Sequence, residues 1–397
     1  MIVIFGATGF TGQLVTKYFA KHISRRCPDL RWCIAGRNRE KLERLRESLD
    51  MTESTRRPSI RVGNGTDPRD ARDIVANSSV VISTAGPFLD YSKEIVNACL
   101  ESGSHYVDIT GETPFVRDML DRGHHERAQR KGIYIVPGCG FDSVPSDIGT
   151  FAVVRKIREL TGGGETSRVR CYATLNGKLS GGTVGTFVRM HRLGLADQLS
   201  DPFLLGGSSS FVDIKEAKDF DRVEFCEDVH AWTAPFMMAP INTRVVRRTN
   251  QLFDFEYGSK FQYEERALAK NEKHAKALER LNRVSVEARE EMIKKGSLPK
   301  PGQGPDESTR AQSTFEMLFL GESVDGNTHV RGVVSGGDPG YDETAKIVSE
   351  SAVMLATKCN ELKKSHGVHG GVLTPAFAFR DYFIDRLRDV GLVIDIN

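Results

Sequence analysis

Paired cysteines are missing from this 397-residue sequence. The seven cysteines are an odd number, and no two of them form a C-x-x-C pair. Disulfide frameworks and zinc ribbons need paired or closely spaced cysteines, so the sequence gives no support to either. We therefore expect reduced thiols in a reducing compartment. Cys139 is interpreted as a packed thiol rather than a reactive one.

The sequence also lacks an excess of one charge and a long apolar run. Lys and Arg total 55 against 53 Asp and Glu, a balance that gives no argument for a nucleic-acid partner. No stretch approaches the roughly 18 apolar residues needed to cross a bilayer. The first residues lack the basic segment of a secretory signal. We expect a cytosolic protein, and peripheral attachment to a membrane or lipid droplet stays open.

Several catalytic motifs are absent as well. No tyrosine is followed four positions later by a lysine, which excludes the acid–base pair of short-chain dehydrogenases. There is no G-x-S-x-G elbow and no P-loop lysine. His366 and His369 flank glycines without a nearby cysteine or acid. The sequence therefore predicts no metal site.

In the N-terminal part of the sequence, short apolar runs alternate with helical segments. This pattern over residues 1–150 predicts a doubly wound parallel sheet, the Rossmann architecture, in an α/β protein. Residues 151–378 predict an α+β substrate or interaction domain. Residues 379–397 are expected to return to the first domain.

The second domain is predicted in more detail from its local patterns. Residues 211–220, 244–249 and 253–257 are interpreted as strands or mixed segments. Residues 262–295 carry a thin apolar stripe at helical spacing and predict one long charged helix. Residues 296–305 are rich in proline and glycine and predict a loop.

A glycine-rich turn follows the first apolar run and opens a helix. Its spacing is G-x-x-G-x-x-G, a variant of the dinucleotide-binding fingerprint. Such a turn brings backbone N–H groups and a helix N-terminus to a pyrophosphate. The predicted cofactor-binding residues are Gly6, Thr8, Gly9, Phe10, Thr11 and Gly12.

The end of the second strand predicts which dinucleotide binds. An acidic residue there would accept hydrogen bonds from the ribose hydroxyls of NAD. This sequence instead has Arg37 and Asn38 at that place. A guanidinium binds a 2′-phosphate through charge-assisted hydrogen bonds, so we predict NADP(H).

Other residues at strand ends complete the predicted cofactor site. Asp67 follows the third strand and is expected at the adenine end. Ala85, Gly86 and Pro87 follow the fourth strand, where the ligand crevice of a doubly wound sheet opens. They are interpreted as backbone contacts near the ribose or nicotinamide, with a simple turn as the alternative.

Carboxylates follow the fifth and sixth strands. Acid–base groups and helix caps both belong at such positions. Asp142 and Asp147 fit either role, because a helix is expected to start at Pro145.

Five N-terminal motifs, in order, resemble the saccharopine dehydrogenase-like oxidoreductases. They are GATGFTG, IAGRNREKL, STAGPF, YVDITGE and PGCGFDSVPSDIG. The resemblance continues through PFMMAPINTRVVRRT, GGDPGYDETAKIV and GGVLTPAFAF, and so covers nearly the whole chain. This family includes bacterial trans-acting enoyl reductases of glycolipid synthesis.

The resemblance implies an NADP-type Rossmann domain followed by an α+β domain. In the enoyl reductase relatives, a carbon–carbon double bond of a thioester-bound lipid intermediate is reduced. Animal-type relatives associate with lipid droplets through a strongly apolar segment, whereas the corresponding residues 262–295 here are polar. The resemblance carries over no catalytic residue.

The function we expect is NADPH-dependent reduction of a lipid-linked enoyl or acyl substrate. Tyr106, Glu112 and Asp142 are the candidate catalytic groups of the crevice. An apolar substrate pocket is expected from side chains that could equally be core residues. These are Phe187, Phe236, Met237 and Met238.

Two alternatives stay open. A saccharopine-type amino-acid dehydrogenase would need cations to hold substrate carboxylates. The available ones are Arg189, Arg192, Arg244, Arg247 and Arg248. The other alternative is a non-catalytic NADP-binding protein on a lipid surface. The partner that we expect is a small-molecule or lipid-linked substrate. A homodimer is also considered.

Overall fold

A computed structural model describes residues 1–51, 55–177, 180–207, 212–300 and 302–397. Within these residues the chain forms fourteen strands. They are β1 (Ile2–Phe5), β2 (Trp32–Gly36), β3 (Ser59–Val62), β4 (Val80–Ser83), β5 (His105–Asp108), β6 (Tyr134–Val136), β7 (Thr166–Asn176), β8 (Glu224–Cys226), β9 (Ala231–Pro235), β10 (Gln262–Ala269), β11 (Thr314–Ser323), β12 (His329–Gly336), β13 (Gly371–Val372) and β14 (Val393–Ile396).

Helices cover both sheets that these strands form. They are α1 (Phe10–Tyr18), α2 (Ser24–Arg26), α3 (Arg39–Glu47), α4 (Pro68–Val75), α5 (Phe88–Tyr91), α6 (Lys93–Ser102), α7 (Thr113–Asp121), α8 (His124–Lys131), α9 (Val144–Leu160), α10 (Gly181–Arg192), α11 (Ala239–Leu252), α12 (Glu272–Asn282), α13 (Val286–Lys294), α14 (Glu307–Ala311), α15 (Asp342–His366) and α16 (Pro375–Asp389). A π-helical turn at Phe19–Ile23 joins α1 to α2, and short 3₁₀ turns lie at Ala196–Ser200 and Glu227–Val229. None of the helices in the described ranges combines the length and apolar character that a bilayer crossing needs.

The first sheet is parallel throughout, in the order β13-β6-β5-β4-β1-β2-β3. Its central strands are buried along their whole length, as expected for a sheet with helices on both faces. The direction of winding reverses between β1 and β4. The carboxyl ends of these two strands therefore meet at the point where doubly wound sheets bind ligands. The predicted fold class is confirmed.

The second sheet is mixed, in the order β14-β12-β11-β7-β10-β9-β8. Among the described strand pairs of this sheet, only β7 and β10 run parallel, and the others are antiparallel. Helix α9 leaves the first sheet and packs on β7, β11 and β12. Gly149 permits this close packing, since a Cβ there would lie 2.4 Å from the Phe319 ring.

The single long helix predicted for residues 262–295 is wrong. The structure has strand β10 there, followed by α12 and α13. Residues 262–269 pair with β7 on one side and β9 on the other. The hydrogen bonds of this pairing stabilise a strand, although the apolar residues have helical spacing. Asn271 and Ser285 then cap the two helices, their side chains accepting from the backbone N–H groups of His274 and Ala288.

The strand predictions for residues 244–249 and 253–257 are also wrong. The former lie in α11, which begins with a proline in its first turn and is buried almost throughout. Val245, Val246 and Thr249 are β-branched and favour a strand locally, but the tertiary packing of α11 overrides this preference. Residues 253–257 form a turn in which Asp254 and Phe255 have positive φ. Residues 212–220 are turns and bends, and Phe211 lies outside the described residues.

The predicted domain limits differ from the observed chain path. Residue 150 lies within α9, which links the two sheets. Within residues 379–397, α16 contacts β6 of the first sheet, whereas the final strand β14 pairs with β12 of the second sheet. The return of this segment to the first domain stays a prediction. Earlier parts of the chain also reach the first sheet, namely α15, which packs on α1, β4 and β5, and β13, which pairs with β6.

A buried carboxylate holds α15 against its neighbours. The side chain of Glu350 is fully buried and accepts from Tyr18 Oη at 2.7 Å. It also bonds Arg26 Nη2 at 2.7 Å and Arg386 Nε at 2.6 Å. One anion thus joins α1, α2 and α16 to α15.

Glu350→Ala should lower the free energy of unfolding by about 1–3 kcal/mol, because it removes the hydrogen bonds of a buried carboxylate to Tyr18 and to two partly exposed arginines. Urea denaturation followed by circular dichroism measures the change. Glu361→Ala, at an exposed position of the same helix, is the control and should change stability by less than about 0.5 kcal/mol. Equal effects of the two substitutions would contradict this role of Glu350.

Candidate functional site

A cleft of about 930 Å³ opens at the carboxyl edge of the first sheet and extends beneath the second domain. Its first-sheet wall comes from the loops after four strands. The lining residues there are Gly9, Phe10, Thr11, Thr84, Gly86, Pro87, Ile109, Gly111, Gly140, Phe141 and Asp142. The opposite wall comes chiefly from α10, the start of α11, α12 and α13.

The glycine-rich turn between β1 and α1 is held by direct backbone contacts. Gly6 has φ of 79°, and a Cβ there would lie 2.8 Å from the backbone nitrogen of Ala85. A Cβ at Gly12 would lie 2.2 Å from the carbonyl oxygen of Gly6. Within the described part of the chain, no side chain caps the start of α1 at Gly9. The first N–H groups of this helix are therefore available to an anionic ligand, as a dinucleotide pyrophosphate requires.

Arg37 lies directly after β2 and is exposed. Its guanidinium lies 5.5 Å from the centroid of the Tyr91 ring. Asn38 caps α3, its side chain accepting from Lys41 N at 2.9 Å. The cation is thus free of the helix cap and stands at the strand end where a ribose 2′-phosphate is bound.

Asp67 has a clear structural role. Its carboxylate caps α4 by accepting from Arg69 N at 2.8 Å and Asp70 N at 3.1 Å, and these bonds lower its pKa. Its contact with the adenine end of a cofactor stays a prediction. Gly86 and Pro87 line the cleft, and Ala85 lies against Gly6.

Residues distant in sequence cover the nucleotide-binding turn. The Phe10 ring meets Tyr341 edge-on at 4.6 Å between centroids. Tyr341 Oη accepts from Gly181 N and donates to the carbonyl of Gln303, both at 2.9 Å. The start of α10 is therefore tied to the turn through one tyrosine. Tyr341 is not among the site residues predicted from the sequence, although it lies in the GGDPGYDETAKIV motif.

Two of the three candidate catalytic groups are engaged in hydrogen bonds. Tyr106 is fully buried and donates to Asp108 at 2.8 Å. Glu112 accepts from Phe88 N at 2.8 Å and Leu89 N at 2.9 Å, and burial raises its pKa. Tyr106 therefore lies in the core, and Glu112 fixes the loop that carries Gly86 and Pro87.

Asp142 is placed differently. It lines the cleft, and its Oδ1 has no hydrogen-bond partner among the described residues. Burial raises its pKa to about 7, and the nearby charge of Glu265 acts in the same direction. A pKa in this range lets the carboxyl hold and release a proton near neutral pH, which suits a proton donor.

Glu265 was not found from the sequence. It is fully buried on β10 and accepts from Tyr263 Oη at 2.7 Å and Asn242 Nδ2 at 3.0 Å. Burial raises its pKa to about 7. Glu265 lies within the residues that were predicted as a charged helix. A glutamate in such a helix is expected to be exposed, so its burial could not be predicted.

Asp147 joins helices rather than lining the cleft. It lies in the first turn of α9 and accepts from Thr249 Oγ1 at 2.5 Å and Ala376 N at 2.8 Å. Cys139 is fully buried, and burial raises the pKa of its thiol, so it is not an activated nucleophile. The described residues contain no group of three or more side chains placed to hold a metal ion.

Apolar side chains form the wall that faces the nucleotide-binding turn. Phe187, Phe236, Met237 and Met238 all line the cleft, as the sequence predicts. Val188, Met190, Phe220 and Ile241 extend the same surface. An apolar chain can therefore lie beside the turn.

The five arginines considered as anchors for substrate carboxylates are all engaged within the protein. Arg247 and Arg248 are buried and donate to backbone carbonyls. The other three have carboxylate partners. Arg189 pairs with Asp90, Arg192 with Glu290 and Arg244 with Asp219.

Together the turn and the cleft define an NADP-dependent oxidoreductase of the Rossmann class. Residues 2–136 match the saccharopine dehydrogenase NADP binding domain. A provisionally named trans-acting enoyl reductase of Mycobacterium tuberculosis is 32% identical, over 98% of this chain and 96% of its own length. The trans-acting enoyl reductase of Mycobacterium ulcerans is 30% identical, over 99% and 96%. The chain belongs to the saccharopine dehydrogenase-like oxidoreductase family, as predicted.

A solved structure agrees with this assignment at the level of the fold. Saccharopine dehydrogenase (L-Glu forming) from Saccharomyces cerevisiae aligns over 100% of this chain and 99% of its own. The TM-score is 0.54 at 12% sequence identity. The two-sheet architecture is therefore shared.

Arg37→Ala should raise the Kd for NADPH by about 10- to 100-fold, because charge-assisted hydrogen bonds to the 2′-phosphate are lost. The Kd for NADH should change little. Titration calorimetry with both cofactors measures the difference. Arg39→Ala removes an exposed cation two residues further on, at the start of α3 and paired with Glu43, and is the control. Equal weakening of NADPH and NADH would contradict the role of Arg37.

Proposed function

We propose that this oxidoreductase reduces the carbon–carbon double bond of an enoyl thioester that carries a long apolar chain. The observation that carries the proposal is the apolar wall facing the nucleotide-binding turn across one cleft. The names of the relatives support the reaction type. The lipid-like chain is inferred from the apolar wall. Burying apolar surface of a ligand against this wall stabilises the complex by about 25 cal/mol per Å².

The cofactor site in this proposal is the turn and its neighbours. Backbone N–H groups of the turn and the start of α1 hold the pyrophosphate, and Arg37 holds the 2′-phosphate. The loop of Gly86 and Pro87 lies beside the ribose and nicotinamide. NADPH, when bound, supplies the hydride.

The protein must then supply a proton to the second carbon of the double bond. Asp142 is the group we assign to this step, because its carboxyl lines the cleft and keeps its proton near neutral pH. Hydride and proton together saturate the double bond and leave Asp142 ionised until it takes a proton from water. Glu112 acts as a positioning residue through the loop at Phe88 and Leu89.

A saccharopine-type reaction is less well supported. Its substrate carboxylates need cations, and the five arginines considered for that role already have partners. Attachment to a lipid surface, a homodimer and a role in glycolipid metabolism stay predictions from the sequence.

Chain length tests the proposal. With NADPH, trans-2-enoyl thioesters of N-acetylcysteamine, from butenoyl to hexadecenoyl, should show a rising kcat/KM. Each buried methylene contributes about 0.8 kcal/mol, or roughly fourfold, until the apolar wall is covered. Loss of NADPH absorbance measures the rate. Tight NADPH binding without turnover of any thioester would instead favour the non-catalytic alternative, and turnover of saccharopine would favour the amino-acid enzyme.

Asp142→Asn should lower kcat by about 10²- to 10⁴-fold while the Kd for NADPH is unchanged. The wild-type rate should fall as pH rises above about 7, where Asp142 loses its proton, and this limb should be absent from the variant. Asp221→Asn, at an exposed aspartate on the cleft, is the matched control. An unchanged pH profile in Asp142→Asn would rule out this residue as the donor.

A further inference from the structure

One buried cation of the cleft has no carboxylate partner. Arg289 lies in α13, lines the cleft and is only 2% exposed. Its Nε donates to the carbonyl of Val284 at 3.2 Å, and its Nη2 donates to those of Leu281 at 2.7 Å and Asn282 at 3.4 Å. The guanidinium therefore satisfies the carbonyl end of α12.

The neighbouring arginines on the cleft are neutralised, and this one is not. Arg189, Arg192 and Arg283 each form an ion pair with a carboxylate. Arg289 forms none among the described residues, and the adjacent Glu290 is bonded to Arg192. Its Nη1 makes no hydrogen bond within the same set of residues. Buried cations are normally compensated by an anion, and the helix terminus provides only part of a charge.

An aromatic ring stacks on this cation at the wall of the cleft. The Arg289 guanidinium lies 4.1 Å from the centroid of the Phe187 ring, and Phe187 also lines the cleft. The His191 ring covers Phe187 as well, at 4.1 Å between centroids. Because α13 packs on α10, the cation is fixed on the second-domain wall, whereas the nucleotide-binding turn belongs to the first sheet.

We propose that Arg289 is a binding site for an oxyanion of the substrate, a phosphate or a carboxylate. This assignment of Arg289 rests on the proposed function, since the same cleft would bind the thioester. A guanidinium with unused N–H donors on an aromatic ring recognises either group through charge-assisted hydrogen bonds. The oxyanion has two sources, the phosphates of the thiol carrier and a carboxylate at the far end of the acyl chain.

Three thioesters of one trans-2-enoyl chain separate these sources. They are the coenzyme A thioester, the uncharged N-acetylcysteamine thioester, and the latter with a terminal carboxylate on its acyl chain. Binding is measured by calorimetry on the protein saturated with NADP⁺, which fills the nucleotide's own phosphate sites and prevents turnover. Wild type should bind at least one anionic thioester about 10- to 100-fold more tightly than the uncharged one.

Arg289→Gln should abolish that preference and leave the Kd of the uncharged thioester unchanged. Arg283→Gln, a cleft arginine already paired with Glu279, is the matched control and should retain the preference. If Arg289→Gln does not fold, Arg289→Lys keeps the charge with fewer donors and should show a reduced preference.

The site is overturned if wild type shows no preference, or if the Arg289 variants weaken all three ligands alike. Turnover with NADPH decides the proposed function separately. Reduction of all three thioesters with equal affinities would overturn the oxyanion site alone. A preference for an anionic thioester without reduction would overturn the enoyl reductase proposal alone, and no binding of any thioester would overturn both.

Discussion

Direct backbone contact between two turns fixes the geometry of the whole cleft. The turn after β1 touches the loop after β4 so closely that a Cβ at Gly6 would lie 2.8 Å from Ala85 N. Glu112 holds the next part of that loop by accepting from two backbone N–H groups. Thr186 of α10 approaches the same carboxylate at 3.5 Å, and Arg189 pairs with Asp90. The apolar wall is thereby set relative to the nucleotide-binding turn.

The number of hydrogen bonds that a buried charged group receives separates structural groups from those able to act on a ligand. Burial raises the pKa of Asp147 and of Asp142 alike, to about 7. Asp147, however, is surrounded by donors that join three helices, whereas one oxygen of Asp142 is without a partner among the described residues. The same reasoning distinguishes Arg289 from Arg189. A group whose donors and acceptors are all bonded within the protein has a structural role. A group with an unused donor or acceptor can bind or react with a ligand.

Predictions are correct where local sequence patterns determine the structure, and wrong where long-range packing overrides them. The parallel sheet was predictable because fully buried strands alternate with helices, and the glycine turn because its backbone conformation needs those residues. Residues 262–269 were read as helix because their pairing partners, β7 and β9, lie far away in the chain. The strand predicted for residues 244–249 follows from their β-branched side chains, a local preference that the packing of α11 overrides.

The sequence by itself determined the nucleotide-binding turn, the cation at the end of β2, the family and the apolar residues of the cleft. These depend on local conformation or on residue type, which a short motif carries. Only the tertiary structure decided which ionisable groups are free to act. Burial by chain segments far away in sequence raises the pKa of Asp142 and Glu265. Arg289 bonds carbonyls close to it in the chain, but tertiary packing sets its contact with Phe187 and leaves it without an anionic partner among the described residues.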